Sequence, residues 1–165
     1  MAKYDLLAIL SIASLCYCIN ANLIHQICSK STNPSLCTKS FRSDPRSRGA
    51  DLRGLGQITI NKARAATQVT QRVAKSLSTG DTKARADACV EYCADAIELL
   101  NDCSALLRDR SGRTIDDVKT KGSAALTDIS TCDDEFGPEE PKKLRNASRT
   151  TQDLMDIFLV IANLL

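Results

Sequence analysis

Eight cysteines, a single histidine and a row of carboxylates are the side chains of this 165-residue chain that could carry chemistry. His25 and Cys28 stand three apart, a helical spacing that would suit a thiol nucleophile with its base, or two ligands of a zinc site. No second histidine exists to complete a metal set, and in an oxidising compartment Cys28 is expected to be tied up with Cys37. Glu91, Asp95, Glu98 and Asp102 could do acid–base work only inside a cleft, and their spacing puts them on one convex stripe of a helix. No tryptophan and few aromatics accompany them. The sequence therefore predicts no enzyme, no metal and no cofactor. Two readings of the acidic stripe stay open: a solvated outer face, or a docking surface for something basic.

The element that carries the stripe runs from Ala86 to Leu107. Cys89, Cys93, Ala96, Leu100, Cys103 and Leu107 follow one another at steps of 4, 3, 4, 3 and 4, the inward seam of a bundle helix. No Lys or Arg occurs in that stretch, so its carboxylates repel one another by a few tenths of a kcal/mol per pair. The next helix repeats the seam with Ile115, Val118, Gly122, Ala125, Ile129, Cys132 and Phe136. A short polar turn, Arg108 to Arg113, joins the two, which predicts antiparallel packing.

Ahead of them, Lys3 precedes an apolar run from Leu6 to Ile19 that ends near Asn20-Ala21-Asn22, the plan of a secretory signal peptide over residues 1–21. The run is short for a membrane span of about 20 residues. Cleavage after Ala21 is expected, with no membrane attachment afterwards; an uncleaved anchor is the alternative. Cys16 and Cys18 leave with the leader, and six cysteines remain in an extracellular chain.

Register arithmetic prunes the 15 pairings that six thiols allow. Cys28 and Cys37 flank Asn33-Pro34, a turn signal, and would clip a small helical hairpin over residues 22–43. Cys89 lies 19 residues before Arg108 and Cys132 lies 18 after Thr114. At about 1.5 Å rise per residue, both sit nearly 30 Å from the shared turn and face inward, so Cys89–Cys132 is the long-range bond. Cys93 and Cys103 have no partner at their own levels and read as buried thiols.

The remaining stretches complete the plan. Asp44 to Gly49 is a turn-rich linker, and Leu52, Leu55, Ile58, Ala66, Val69, Val73 and Leu77 predict a long helix over about Asp51–Ser78. Gly54 and Gly56 suggest a bend or a close helix approach. The charged residues from Leu52 to Gly80 are all basic, and the helix that follows is acidic, as suits neighbours with complementary flanks. Gly137 to Pro141 opens a polar loop holding Asn146-Ala147-Ser148, an N-glycosylation pattern at Asn146. A last helix, from about Ala147, carries Leu154, Ile157, Phe158, Ile161, Leu164 and Leu165. The fold class is all-α: an N-terminal helical hairpin, residues 22–43, and an up-and-down four-helix bundle, residues 50–165, in one domain over 22–165. The formal net charge of +2 argues against a dedicated nucleic-acid binder.

The chain also resembles the plant invertase and pectin methylesterase inhibitors. The resemblance rests on Ile27-Cys28 with Asn33-Pro34-Ser35-Leu36-Cys37, Ser43-Asp44-Pro45-Arg46-Ser47 and Asp51-Leu52-Arg53-Gly54-Leu55-Gly56. It continues through Cys89-Val90-Glu91, Ala94-Asp95-Ala96, Ser123 to Leu126 and Thr131-Cys132-Asp133-Asp134. The stretch Asp156 to Leu165 is more similar to fruit pectin methylesterase inhibitors than to invertase inhibitors. The resemblance implies the hairpin-plus-bundle fold with both disulfides, and a 1:1 complex in which the bundle covers the substrate cleft of a pectin methylesterase. It places Glu91, Asp95, Glu98, Thr131 and Asp134 at positions of that contact. Cys93 stands where the family usually has Tyr, and Arg113 where an acid is common.

Two classes of function follow: a secreted inhibitor in the cell wall, monomeric until it meets pectin methylesterase or, alternatively, acid invertase; or a secreted helical bundle without inhibitory activity. Fold similarity alone does not separate them.

Overall fold

The computed structural model describes residues 22–109 and 114–165. The expected leader, its cut site and Arg113 lie outside them. Residues 22–28 are helical (α1) and a turn leads into α2, Pro34–Arg42. Asn33 caps α2 by accepting the Leu36 N–H through Oδ1 at 3.0 Å, and Pro34 occupies a first-turn position where no N–H is needed. A single 3₁₀ turn, Pro45–Ser47, follows. The bundle consists of α3 (Leu52–Ser76), α4 (Lys83–Arg108), α5 (Ile115–Phe136) and α6 (Lys142–Ala162). Among the described residues there is no strand, and no helix is long and apolar enough to cross a membrane.

The seam predicted for α4 is buried at all six positions, and so are Val118, Gly122, Ala125, Ile129, Cys132 and Phe136 on α5, while Ile115 at its first turn is half-buried. Both disulfides are present. Cys28–Cys37 closes the hairpin with a Cα–Cα distance of 5.4 Å, and Cys89–Cys132 joins α4 to α5 at 4.4 Å. Cys93 and Cys103 are free and buried. Small residues let the helices close: a Cβ on Gly122 would come within 2.8 Å of the Phe158 ring, and one on Gly56 within 2.9 Å of Leu107 Cδ1. The close approach expected at Gly56 is therefore made against α4.

Polar side chains tie the layers where backbone groups would otherwise be orphaned. Arg53 donates to the carbonyls of Leu107 and Asp109, at 3.0 and 2.9 Å, and so caps the C-terminus of α4 with a cation. Gln57 and Ser104 exchange two hydrogen bonds between α3 and α4. The hairpin is fastened to α6 by the Thr32 N–H on Asp156 Oδ2, 2.8 Å, and by Asn33 Nδ2 on Asp153 Oδ2, 2.8 Å.

Three expectations need correction. Val69 is 44% exposed, and the inward face of α3 is instead completed by Ile60, Ala63 and the buried Thr59, Thr67 and Thr70. Each of these hydroxyls donates to the carbonyl four residues back, which lets a threonine pack as a small apolar residue. The last helix starts at Lys142 rather than near Ala147, because Pro141 acts as its N-cap residue and Leu144 already packs inward. Asn146 is thus on α6, exposed, and not in a loop. The helix ends at Ala162, leaving Leu165 36% exposed.

Candidate partner surface

Since its opposite face is locked into the core, α4 presents its carboxylates outward. Glu91, Asp95, Glu98 and Asp102 are all exposed. Three of them meet no basic side chain among the described residues. Asp102 does: Lys121 of α5 reaches its Oδ2 at 2.8 Å, and the carboxylate in turn raises the lysine's pKa. Both partners are open to solvent, so water and salt screen the pair and it adds little to stability. The stripe is therefore neutralised at its C-terminal end and unbalanced over Glu91–Glu98.

On α5, Asp134 is exposed and Thr131 half-buried, its Oγ1 donating to the Thr127 carbonyl at 2.9 Å. Between the two helices lies a carboxylate that sequence reasoning did not single out, Asp128. Burial first, then the negative field of Asp95, raises its pKa, and its Oδ2 is buried without a hydrogen-bond partner. The Cys89–Cys132 register would have revealed it, since antiparallel counting brings Asp128 level with Cys93. Asp95 and Asp128 thus bring two carboxylates within each other's field at the α4–α5 seam.

A second acidic group closes the far end of α5. Glu140 is buried, and Arg145 Nε donates to its Oε2 at 2.9 Å. Asp133, held by Gln152 Nε2 at 2.6 Å, stands against it. Burial, the largest cause, raises the Glu140 pKa against the opposing pull of Arg145, and Asp133 adds to the rise. One oxygen of each carboxyl, Asp133 Oδ1 and Glu140 Oε1, is buried with no partner.

The residues with catalytic or metal potential are placed otherwise. His25 is exposed, and Cys28 is bonded to Cys37. The Sγ atoms of Cys89, Cys93 and Cys132 lie within 4.8 Å of one another, but two of the three are consumed in a disulfide. Burial pushes the thiols of Cys93 and Cys103 up to about 12, so neither is a nucleophile at ordinary pH.

The disulfide-stapled bundle with an acidic outer face can be set beside known proteins. The sequence model of the plant invertase/pectin methylesterase inhibitors matches residues 22–161. The chain belongs to this family. A pectinesterase inhibitor of Actinidia deliciosa is 39% identical over 150 residues, 87% of this chain and 80% of its own length. A protein provisionally named as an invertase inhibitor, from Platanus orientalis, is 33% identical over 161 residues, 90% of this chain and 91% of its own. Among solved structures, a mutant form of a pectin methylesterase inhibitor from Arabidopsis superposes with a TM-score of 0.73 at 27% identity, covering 86% of this chain and 96% of that one. This family membership sets the chain among inhibitors of enzymes.

Proposed function

We propose that the protein inhibits pectin methylesterase by laying the α4–α5 face over the enzyme's substrate cleft in a 1:1 complex. The observation that carries this reading is the uncompensated acidic surface of Glu91, Asp95 and Glu98 on a helix whose other side is buried, in a chain of this family. Thr131 and Asp134 on the adjoining helix extend the contact, and Asp102, already clasped by Lys121, contributes least. The mechanism is occlusion: a rigid bundle with matched charge needs no bond-making of its own. The reading includes secretion to the cell wall after cleavage near Ala21, and a glycan on the exposed Asn146. Acid invertase is the alternative target, supported by the family's description, which names both enzymes.

The test neutralises Glu91→Gln, Asp95→Asn and Glu98→Gln together. These side chains are exposed, so thermal stability should be unchanged or slightly raised as self-repulsion is relieved. Inhibition of pectin methylesterase should weaken, through slower association at low salt and through any desolvated pair, each of which costs about 2–5 kcal/mol. Equal inhibition at every salt concentration would reduce the stripe to a solvated face. Inhibition of acid invertase alone would transfer the reading to the other target. No inhibition of either enzyme by the unaltered protein would leave a non-inhibitory bundle.

A further inference from the structure

The charges of this chain are sorted by position. From Lys30 to Ser76 there are ten lysines and arginines and two aspartates; from Gly80 to the C-terminus there are seventeen acids and eleven bases. In the basic half, Asp44 holds Arg46 and Asp51 caps the N-terminus of α3, so both acids are spent locally. Arg53 is spent on the α4 carbonyls. No carboxylate among the described residues forms an ion pair with Lys39, Arg42 or Lys62. These three are brought together. Lys39 and Arg42 line an open groove of about 750 Å³ along α2, walled also by Ser35, Thr38 and Ser43. Lys62 of α3 reaches the same rim, its Nζ 3.4 Å from Ser43 Oγ.

A groove edged by Lys39 and Arg42, with hydroxyls along it, Lys62 at its Ser43 end and as nearby acid only Asp44, already held by Arg46, is suited to a chain of repeated carboxylates bearing hydroxyl groups. Lysine supplies point charge, arginine the planar fork that matches a carboxylate, and serine and threonine the donors and acceptors that a sugar ring offers in return. We propose that the α2–α3 groove binds a polyuronate, the de-esterified form of the polymer on which pectin methylesterases act. The proposal builds on the inhibitor reading, because removing methyl esters uncovers carboxylates: the product of the target enzyme becomes the ligand of the inhibitor. Held there by its basic face, the bundle would present the acidic α4–α5 face to the enzyme, and so gather where de-esterification has already run.

The experiment measures retention of the purified protein on immobilised polygalacturonate and on the same polymer fully methyl-esterified, over a range of salt. Retention is expected on the polyanion only, falling steeply as salt rises. Replacing Lys39→Gln, Arg42→Gln and Lys62→Gln should weaken it about ten- to hundredfold, as three modest ion pairs imply. The charge-conserving set Lys39→Arg, Arg42→Lys and Lys62→Arg should keep most of it, which separates loss of charge from loss of fold. Inhibition of the enzyme on a soluble substrate should be untouched by either set. Conversely, the α4 substitutions described above should leave polymer retention intact, so the two readings fail independently. Equal retention on the esterified polymer, unchanged retention of the neutralised variant, or equal binding to single-stranded DNA would overturn the polyuronate site.

Discussion

The two halves of the molecule treat charge in opposite ways. Beyond Gly80, Lys83, Arg85, Lys121 and Arg145 are each clasped by a carboxylate, while Lys119, Lys142, Lys143 and Arg149 are in no ion pair among the described residues. Before it, among the described residues, Arg46 alone is in an ion pair, and Lys39, Arg42, Lys62, Arg64, Arg72 and Lys75 are in none. Covalent closure differs in parallel, a bond spanning 9 positions in the basic half and one spanning 43 in the acidic half. The contrast teaches that cohesion and charge are separable here: the seams and staples hold the fold, and the surface is left free to lean basic before Gly80 and acidic after it.

The largest test of that separation removes the staples. Replacing both Cys89 and Cys132 by alanine should cost roughly 4 kcal/mol on the chain-entropy account, against about 2.5 kcal/mol for Cys28 and Cys37. Denaturant unfolding of the two double variants measures the difference. If the shorter loop proved the costlier, the bundle seam would not be the dominant source of cohesion.

A smaller effect is expected where the halves meet. Asp153 and Asp156 on α6 are the acids that receive the hairpin. Replacing both by alanine strips the Thr32 N–H and the Asn33 amide of partners that water can in part replace, a loss of about 0.5–1.5 kcal/mol for each bond. Only the hairpin should loosen, seen as faster hydrogen exchange across residues 22–43 with α3–α6 unchanged. Uniform loosening would show that the hairpin is part of the bundle's cooperative unit.

The smallest effect is a pH dependence of opposite sign at the ion-paired Asp44 and at the buried Asp128 and Glu140. The Arg46 guanidinium holds the Asp44 carboxyl down to about 2, so this pair's stabilisation is complete above the ordinary value of 3.8 and is lost as pH falls toward 2. Asp128 and Glu140 are raised, chiefly by burial, so their protonated forms suit the fold better. Their contribution is greatest at low pH and fades as pH rises through the raised values. A carboxyl-resolved NMR titration should find Asp128 and Glu140 taking up protons first on acidification and Asp44 last. Asp44 titrating together with Glu140 would remove the asymmetry.

What the sequence disclosed depended on which residues stood at the interface. On α4 and α5 the seam is cysteine, alanine, leucine and isoleucine, so the period is plain and the Cys89–Cys132 register follows from counting. On α3 the buried face contains Thr59, Thr67 and Thr70, whose hydroxyls are satisfied within the helix, and a hydropathy pattern reads them as polar. Val69, apolar among these polar neighbours, fits the helical spacing but lies on the exposed side. The start of α6 was hidden by Lys142, Lys143 and Arg145, charged residues that resemble a loop until Leu144 is seen to pack. The partners of Asp102 and Glu140 depend on side-chain reach between and along helices, which spacing within one helix does not encode.

The third sulfur beside the Cys89–Cys132 bond has a consequence for how the protein matures. In the finished bundle Cys93 is a bystander, since burial and the fields of Asp133 and Asp128 keep its proton on. While the chain is still being oxidised none of those restraints exists, and Cys93 competes for either neighbour, with Cys89 only four residues away. Correct pairing then requires α4 and α5 to dock before oxidation is complete, or an isomerase to correct the error. Air-oxidised refolding of the reduced chain should give a mixture that a Cys93→Ser variant reduces to fewer species by peptide mapping; an identical mixture would clear Cys93 of the competition. A residue without a thiol at this position could not enter that contest, so Cys93 is a maturation hazard built into the α4 seam.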